Sequence, residues 1–414
     1  MRDFLGTPVR EADTSDPRRA LLLELLQAGL ARVHGRHCVA AALTAASPPA
    51  PLWVAAVGKA ATAMALGAHD ALGSAIERTL IITRDPEDLS AFDRGAAPEV
   101  WLGSHPVPDE RSLAAGARLL EWVDELPQGA LPLFLISGGA SSLVEVPATG
   151  ATLEDLAALT RLSFSSGMAI GELNTRRSAL SRIKGGRLAA RLGGRAARAL
   201  FISDVPQDDP RVIGSGIMGP APAGDRIERL VVASVDHAVA AVAARATQLG
   251  LTVHASPERF ADSAERLAAR FAHELHMGEA QLRVWGGEST VELPPRPGRG
   301  GRNQHLALAA ARLISGRDEL LLLAAGTDGS DGVTDDAGAL IDAETCARVA
   351  LAQLDADDCL ARADSARALA ASGDLLHTGP TGTNVGDLAI GLKLSAEEAA
   401  DLVPHRDARG RRVL

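Results

Sequence analysis

Short apolar runs that stop at a glycine, a serine or an aspartate recur along this chain, and helical stretches separate them. Together with the loops that follow them, these runs lie at 52–61, 79–83, 100–104, 131–142, 198–205, 281–285 and 320–338. Strands that alternate with helices of ten or more residues imply right-handed βαβ crossovers. The pattern therefore predicts an α/β fold with mostly parallel sheets.

Prolines and glycines interrupt the pattern near the middle of the chain. Two of each fall within 218–228, which indicates a domain boundary near 225–235. The 414 residues then divide into an N-terminal α/β domain, 1–230, and a C-terminal α/β domain, 231–414, whose tail is free to return to the first domain. Helices are predicted at 17–47, 235–250 and 260–276.

Composition excludes some classes of partner. The net charge of -10, the 3% of aromatic residues and the absence of Tyr argue against a nucleic-acid surface. Cys38, Cys346 and Cys359 form an odd set without metal-ligand spacing, which favours a reduced, cytoplasmic compartment. The N-terminus lacks an apolar signal core and no run reaches transmembrane length, so no membrane partner is expected.

One loop combines glycines with clustered carboxylates. The apolar run at 320–325 has the length and flanks of a strand that is buried on both faces. The loop after it carries Asp328, Asp331, Asp335 and Asp336. Such carboxylates repel one another unless they are solvated, paired or metal-bound, and open α/β sheets place ligands at this end of a strand. A solvated acidic turn is the alternative interpretation.

Five glycine-rich stretches lie near strand ends or helix starts, at 58–59, 137–142, 184–186, 298–303 and 378–384. Backbone amides in such loops hold phosphate or carboxylate groups. These stretches also carry Lys, Arg or several hydroxyls, which together favours an anion site. The predicted donors to substrate and phosphate are Ser137, Gly138, Gly139, Ser141, Ser142, Lys184, Gly300, Gly301, Asn303, Thr381, Gly382, Thr383 and Asn384.

Each charged candidate also has a structural interpretation. Lys59 lies where a strand meets a helix, where it either adds charge to an anion site or is a solvated first-turn lysine. Lys184 ends a basic stretch, 174–186, and either binds an anion or complements a helix C-terminus. Arg302 follows a double glycine and offers bidentate contacts to phosphate or carboxylate. Asp204 follows an apolar strand and is either functional or a helix N-cap.

Three familiar patterns are rejected. GlySerGlyIleMetGly at 214–219 matches a dinucleotide fingerprint, but the ProAlaPro that follows prevents it from opening a helix. GlyLysAlaAlaThr at 58–62 lacks the earlier glycine and the adjacent hydroxyl of a phosphate-binding P-loop. The aspartate loop at 328–336 does not have the ligand spacing of an EF-hand. His105 is interpreted as structural.

Nine short motifs in this order resemble the glycerate 2-kinase family, which carries a C-terminal domain named for its MOFRL motif. They are GlyLysAlaAla at 58–61, SerHisProValProAsp at 104–109, SerGlyGlyAlaSerSerLeu at 137–143, LysGlyGlyArgLeuAla at 184–189, SerAspVal at 203–205, GlyGlyGluSerThrVal at 286–291, GlyGlyArgAsnGln at 300–304, GlyThrAspGlySerAspGly at 326–332 and GlyProThrGlyThrAsnVal at 379–385. The resemblance covers about 17–393, although the namesake motif, here GlyArgAsnGlnHisLeu, is only partly matched.

The resemblance implies a Rossmann-like N-terminal domain and a smaller MOFRL-type C-terminal domain, with the active site in the cleft between them. It implies transfer of phosphate from ATP, with Mg²⁺, to the 2-hydroxyl of D-glycerate, and the residues that match the family's catalytic ones are Lys59, Asp204, Arg302 and Asp328. Asp204, Asp328 and Asp331 are the candidate metal ligands. A homodimer is left open.

Other activities remain as alternatives. They are a kinase for a related sugar acid, an NAD(P)H-dependent hydroxypyruvate reductase, and a non-catalytic binding protein for sugar acids or nucleotides. The lack of a usable dinucleotide fingerprint argues against the reductase. The carboxylates beside the glycine loops argue against a simple anion binder.

Overall fold

A computed structural model describes residues 15–84, 89–92, 97–166 and 170–402. The strands are β1 Leu52–Val57, β2 Ile76–Thr83, β3 Glu99–Leu102, β4 Leu131–Ile136, β5 Ala197–Ile202, β6 Ile227–Ala233, β7 Val253–Ala255, β8 Leu282–Gly287, β9 Leu320–Gly326, β10 Gly338–Ile341, β11 Leu375–Leu376 and β12 Asp387–Lys393. The predicted return of the C-terminal tail, beyond Leu402, and the N-terminal stretch before Ser15 lie outside the described residues.

The helices complete the framework. They are α1 Pro17–Val33, α2 Gly35–Ala45, α3 Ala61–Leu72, α4 Glu110–Asp124, α5 Ala140–Leu143, α6 Leu153–Ser166, α7 Ile170–Ala179, α8 Arg187–Arg191, α9 Val235–Gln248, α10 Ala264–Met277, α11 Arg302–Ile314, α12 Thr345–Leu351, α13 Ala356–Ala361, α14 Ser365–Ser372 and α15 Ala396–Leu402. Among the described residues, none of these helices combines the length and the apolarity that crossing a membrane requires.

The chain forms two compact units. One, the parallel-sheet unit, comprises Val33–Ser234 and Gly382–Val385. The other, the mixed-sheet unit, comprises the described residues up to Arg32, Val235–Thr381 and Gly386 onwards. Each unit contains one six-stranded sheet.

The parallel-sheet unit has the strand order β3-β2-β1-β4-β5-β6, and all of its strands are parallel. This is the order of doubly wound nucleotide-binding sheets. β2 and β3 lie on one side of β1, whereas β4, β5 and β6 lie on the other side. Because the strand order reverses between β1 and β4, a crevice opens at their carboxyl ends. Ligands bind at this switch point in open α/β sheets.

Burial explains why the central strands read as continuous apolar runs. All six residues of β1 are buried, because the strand is hydrogen-bonded on both edges and covered on both faces. On one face, Trp122 of α4 packs edge-to-face on Phe134 of β4, with ring centroids 5.8 Å apart. The core therefore fixes the strands whose ends carry the polar loops.

The mixed-sheet unit has the order β11-β10-β9-β12-β8-β7, and only β7 and β8 pair in parallel. The expectation of mostly parallel sheets is therefore wrong for this unit. The segment between β9 and β10 contains no helix, and such a short connection joins antiparallel strands. β12 then inserts antiparallel between β8 and β9, so these two strands run in the same direction without pairing.

Two further expectations change at the N-terminus. The single helix predicted at 17–47 is divided at His34, whose side chain caps α2 by accepting a hydrogen bond from Arg36 N. α1 is grouped with the mixed-sheet unit and not with the rest of 1–230, because Arg19 of α1 pairs with Asp342 and Asp374.

Candidate active site

Two glycine loops meet at the switch point of the parallel sheet. Gly58 follows β1 with φ +134°, and a Cβ at this position would lie 2.7 Å from the carbonyl oxygen of Ser137. Only glycine allows this approach. Lys59 N then donates to Gly138 O at 2.9 Å, and Ser137 Oγ accepts from Ala60 N at 3.1 Å. The loops after β1 and β4 are therefore locked together by the backbone.

Asp204 faces the same loop from the end of β5. A Cβ on Gly138 would overlap both the carboxylate of Asp204 and the amide of Asn384. Asn384 Nδ2 donates to Asp204 Oδ2 at 3.2 Å. Asp204 is therefore held by a neutral donor and is not capping a helix with that oxygen.

Lys59 and His105 lie beside the second glycine of this pair. A Cβ built on Gly139 would lie 3.1 Å from Lys59 Cγ and 3.2 Å from His105 Cδ2. Both side chains are partly exposed. The carboxylate of Asp204 therefore lies beside Gly138, and the stem of the Lys59 side chain lies beside Gly139.

Lys184 does not reach this loop as a donor to substrate. Its side chain is 1% exposed and forms an ion pair with Glu145, which is also 1% exposed. Ser181 Oγ donates to the same carboxylate. Burial lowers the pKa of Lys184, while the carboxylate of Glu145 opposes that shift. These contacts assign Lys184 to the interior of the unit.

Several predicted hydroxyl donors bind the protein's own backbone. Ser142 Oγ donates to Gly139 O at 3.3 Å, Thr383 Oγ1 to Val33 O at 2.7 Å, and Thr381 Oγ1 to Thr327 O. These hydroxyls shape the loops and do not present themselves to a ligand. Ser141, which is partly exposed, is the exception among the serines of 137–142.

The mixed-sheet unit carries a second cluster of charged side chains. Because β12 runs antiparallel between β8 and β9, Asp387 at its start lies opposite both Gly287 and Gly326. Arg302, the first residue of α11, pairs with Asp387 at 2.8 Å and also with Glu288. Burial alone would lower the pKa of Arg302, but the two carboxylates outweigh it and raise the pKa.

Two of the predicted metal ligands lie in this unit, and their partners differ. Asp331 accepts from Asn303 N at 3.1 Å and from Gln304 N at 2.8 Å, so it caps the start of α11. Asp328 Oδ1 accepts from Ser330 N at 3.1 Å and remains partly exposed. In the described part of the chain, no three His, Cys, Asp or Glu side chains are grouped to hold a metal ion.

The pKa of Asp331 follows from its position. Burial raises it to about 7, and the charge of Asp387 adds to this effect. The hydrogen bonds from Gln304 and Asn303 oppose it, as does the charge of Arg302. Asp331 is therefore a structural cap whose ionisation is costly, which corrects its prediction as a metal ligand.

The other glycines of the predicted binding loops serve close packing. A Cβ on Gly301 would overlap Asp331, and one on Gly300 would overlap the hydroxyl of Ser365. Gly382 similarly admits His34, with Nε2 2.6 Å from a Cβ at that position. Glycine is thus needed in these loops for reasons independent of any ligand.

Asp387 and Glu288 were missed from the sequence. Glu288 stands in the motif GlyGlyGluSerThrVal, and Asp387 follows a glycine at the start of an apolar strand. A charged residue at a strand start beside Gly386 was the available signal. Its partner Arg302 is 85 residues away in sequence, which no local pattern reveals.

The fold and these polar clusters define a two-unit α/β protein with charged loops at the ends of its strands. Family models match the chain as a domain of unknown function, DUF4147, over residues 21–249 and as the MOFRL family over residues 281–387. The D-glycerate 2-kinase of Thermotoga maritima is 35% identical, with 81% of this chain and 89% of that protein covered.

Another relative and a crystal structure agree with this assignment. The glycerate 2-kinase of Pyrococcus horikoshii is 32% identical over 83% of this chain and 88% of its own length. The crystal structure of glycerate kinase from Thermotoga maritima superposes with a TM-score of 0.81 and 32% identity, covering 91% of this chain and 99% of that one. The chain belongs to the glycerate 2-kinase family, and the fold and the kinase class predicted from the sequence are confirmed.

Proposed function

We propose that the chain transfers the γ-phosphoryl group of ATP to the 2-hydroxyl of D-glycerate, giving 2-phosphoglycerate and ADP. Membership of the family supports ATP as the phosphoryl donor and glycerate as the acceptor. The structural observation that carries the proposal is the Gly138-Gly139 pair, with Asp204 beside Gly138 and Lys59 beside Gly139. A general base and a positive charge beside an anion-binding loop are what phosphoryl transfer to an alcohol requires.

Lys59 and Arg302 are the proposed positive charges of the reaction. Phosphoryl transfer depends mainly on positioning and on neutralising charge as the phosphoryl group moves. Lys59 supplies a mobile point charge at a helix start, whereas Arg302 is held in a defined orientation by Asp387 and Glu288. One of them neutralises the transferring group and the other grips an anionic part of the substrates.

Asp204 and Asp328 are the proposed carboxylates. One orients or deprotonates the 2-hydroxyl of glycerate, and the other would hold the Mg²⁺ of MgATP, which would neutralise charge on the phosphates. A nucleotide-bound Mg²⁺ keeps several waters and takes only one or two carboxylates, so single, partly exposed aspartates fit it. Asp331 is not proposed for this role, because both of its oxygens accept hydrogen bonds at the start of α11.

Backbone amides complete the anion site in this proposal. The amides of Gly138 and Gly139, with the hydroxyl of Ser141, form the donor set after β4. Asn384 contributes by orienting Asp204. Among the sequence-predicted donors, Lys184 is excluded from this set because Glu145 neutralises it in the interior.

Phosphorus NMR of the product tests the proposal. The purified chain is incubated with ATP, Mg²⁺ and D-glycerate, and the product is compared with authentic 2-phosphoglycerate and 3-phosphoglycerate. The 2-phosphate resonance is expected together with ADP. The 3-phosphate would overturn the position of transfer, and no phosphorylated product would overturn the substrate.

A kinase for a related sugar acid is the second candidate. It is supported by the same anion loops and is distinguished by comparing kcat/KM for D-glycerate with that for longer hydroxy acids. A hydroxypyruvate reductase finds less support, because 214–219 forms a tight turn with positive φ at Ser215 and does not open a helix. Oxidation of NADH by hydroxypyruvate in the presence of the chain would support the reductase activity.

We also propose a cytoplasmic location. Cys38, Cys346 and Cys359 form no disulfide among the described residues, which suits a reducing compartment. Fractionation of cells that express the full chain tests this, and recovery with membranes or secreted material would contradict it.

A further inference from the structure

Arg177 brings an uncommitted guanidinium to the loop after β4. It lies in the last turn of α7 and donates through Nη1 to Ser141 Oγ at 3.5 Å. Among the described residues this is the one hydrogen bond of its guanidinium, which forms no ion pair there. Its neighbour Arg176 is different, because it points outward, is 51% exposed and pairs with Glu172 at 2.6 Å.

The local charges leave Arg177 without a counter-ion. Lys184 and Glu145 neutralise each other, and both are buried. Glu145 influences Arg177 through space, but no carboxylate in the described chain contacts the guanidinium. Burial lowers the pKa of Arg177, and Glu145 only partly offsets this. The cluster of Glu145, Lys184 and Arg177 thus carries one surplus positive charge.

Asn174 adds a second unused donor on the same face of α7. It lies three residues before Arg177, a spacing that places the two side chains side by side on a helix. Its Oδ1 accepts from Ser215 Oγ at 2.9 Å, whereas its Nδ2 is buried and has no hydrogen-bond partner within the described part of the chain. A buried amide without an acceptor costs free energy until a ligand supplies one.

We infer that Arg177, assisted by Asn174, binds the carboxylate of the acid substrate beside Ser141 and so makes the enzyme prefer a hydroxy acid to a neutral alcohol. This inference rests on the proposed function and adds a residue that determines specificity. A planar guanidinium recognises a carboxylate through two parallel hydrogen bonds. One surplus positive charge matches a monoanion, whereas a triphosphate needs several cations.

Steady-state kinetics with two acceptors tests the inference. Arg177→Gln is compared with wild type, with the conservative Arg177→Lys and with the exposed control Arg176→Gln, using D-glycerate and glycerol as acceptors. Loss of a charge-assisted contact is expected to raise KM for D-glycerate by about ten- to a hundredfold. KM for ATP and kcat/KM for glycerol are expected to stay within about twofold of wild type, and Arg177→Lys to recover part of the loss.

The possible outcomes separate this inference from the proposed function. If wild type phosphorylates D-glycerate and Arg177→Gln keeps its KM for that acid, the inference fails while the proposed function stands. A rise in KM for ATP instead would assign Arg177 to the nucleotide. If wild type does not phosphorylate D-glycerate, the proposed function fails. The inference is then judged by thermal shift with D-glycerate against glycerol, and a shift equal in wild type and Arg177→Gln rejects it.

Discussion

Two basic residues beside double glycines have opposite environments in this molecule. Lys184 precedes Gly185-Gly186 in the parallel-sheet unit, and Arg302 follows Gly300-Gly301 in the mixed-sheet unit. Lys184 is 1% exposed and paired with a carboxylate that is equally buried. Arg302 is 35% exposed and pairs with buried Asp387 and with Glu288, which is 53% exposed.

The difference shows what a basic residue in a glycine-rich motif can mean. The charge of Lys184 is fully used inside the protein, so its motif serves the fold. The charge of Arg302 is oriented by a buried carboxylate and still reaches the surface, so its motif can serve a ligand. Both residues stand next to a double glycine and both pair with a buried carboxylate, so the exposure of the basic side chain itself is what separates them.

Removing the charge of Lys184 is the strongest test of the difference between these two residues. Lys184→Met leaves Glu145 buried without a counter-charge, and we expect a loss of about 3–5 kcal/mol in the free energy of unfolding. Chemical denaturation measures it. The double variant Glu145→Leu/Lys184→Met replaces the pair with apolar side chains and is expected to recover most of the loss. Wild-type stability of Lys184→Met together with lost turnover would return Lys184 to the substrate site.

Turnover measurements test the catalytic roles that are proposed for one residue of each unit. Lys59→Ala and Asp328→Ala are each expected to lower kcat by at least about a hundredfold while the protein remains folded, because both side chains are partly exposed. Circular dichroism checks the fold and coupled ADP release measures the rate. Lys393→Ala is the matched control, since among the described residues Lys393 Nζ donates only to the carbonyls of His276 and Gly278, at 2.8 and 3.2 Å. Turnover like wild type in both variants would reject their roles.

The two carboxylate partners of Arg302 are expected to contribute unequally to the free energy of unfolding. Asp387→Asn removes a buried charge that holds the guanidinium, and a loss of about 1–3 kcal/mol in unfolding free energy is expected. Glu288→Gln removes an exposed partner and should change stability by less than about 0.5 kcal/mol. Equal losses of unfolding free energy for the two variants in urea denaturation would mean that the exposed Glu288 stabilises Arg302 as much as the buried Asp387 does.

Local patterns predicted much of the framework. β9, Leu320–Gly326, and α9, Val235–Gln248, lie close to where the apolar runs indicated, because burial on both faces and helical periodicity leave direct marks on composition. β12, Asp387–Lys393, was missed. Its antiparallel position between β8 and β9 depends on partners that are distant in sequence, and strand order is not a local property.

The candidate site likewise contains residues that local sequence patterns could identify and residues whose roles depend on distant partners. Lys59 and Asp204 follow buried strands, so the rule that ligands bind at carboxyl ends was enough to single them out. The burial of Lys184 could not be predicted from the sequence, because its partner Glu145 is 39 residues away and no local pattern indicates the pair. Asp331 was chosen for its carboxylate, and only the start of α11 shows that it is a cap.

The pH dependence of stability reports on that cap. The folded-state pKa of Asp331, about 7, lies above the ordinary value of 3.8, so the folded protein keeps a proton that the unfolded chain has lost. The contribution of this group to stability is therefore full below about pH 4 and is lost as the pH rises toward 7. Asp331→Asn keeps a side-chain acceptor for the cap but cannot ionise. Relative to wild type, it should gain at least about 1 kcal/mol in unfolding free energy between pH 4.5 and pH 8. Denaturation curves at both pH values measure this difference, and a gap that stays constant or narrows would show that Asp331 is ionised in the folded protein throughout.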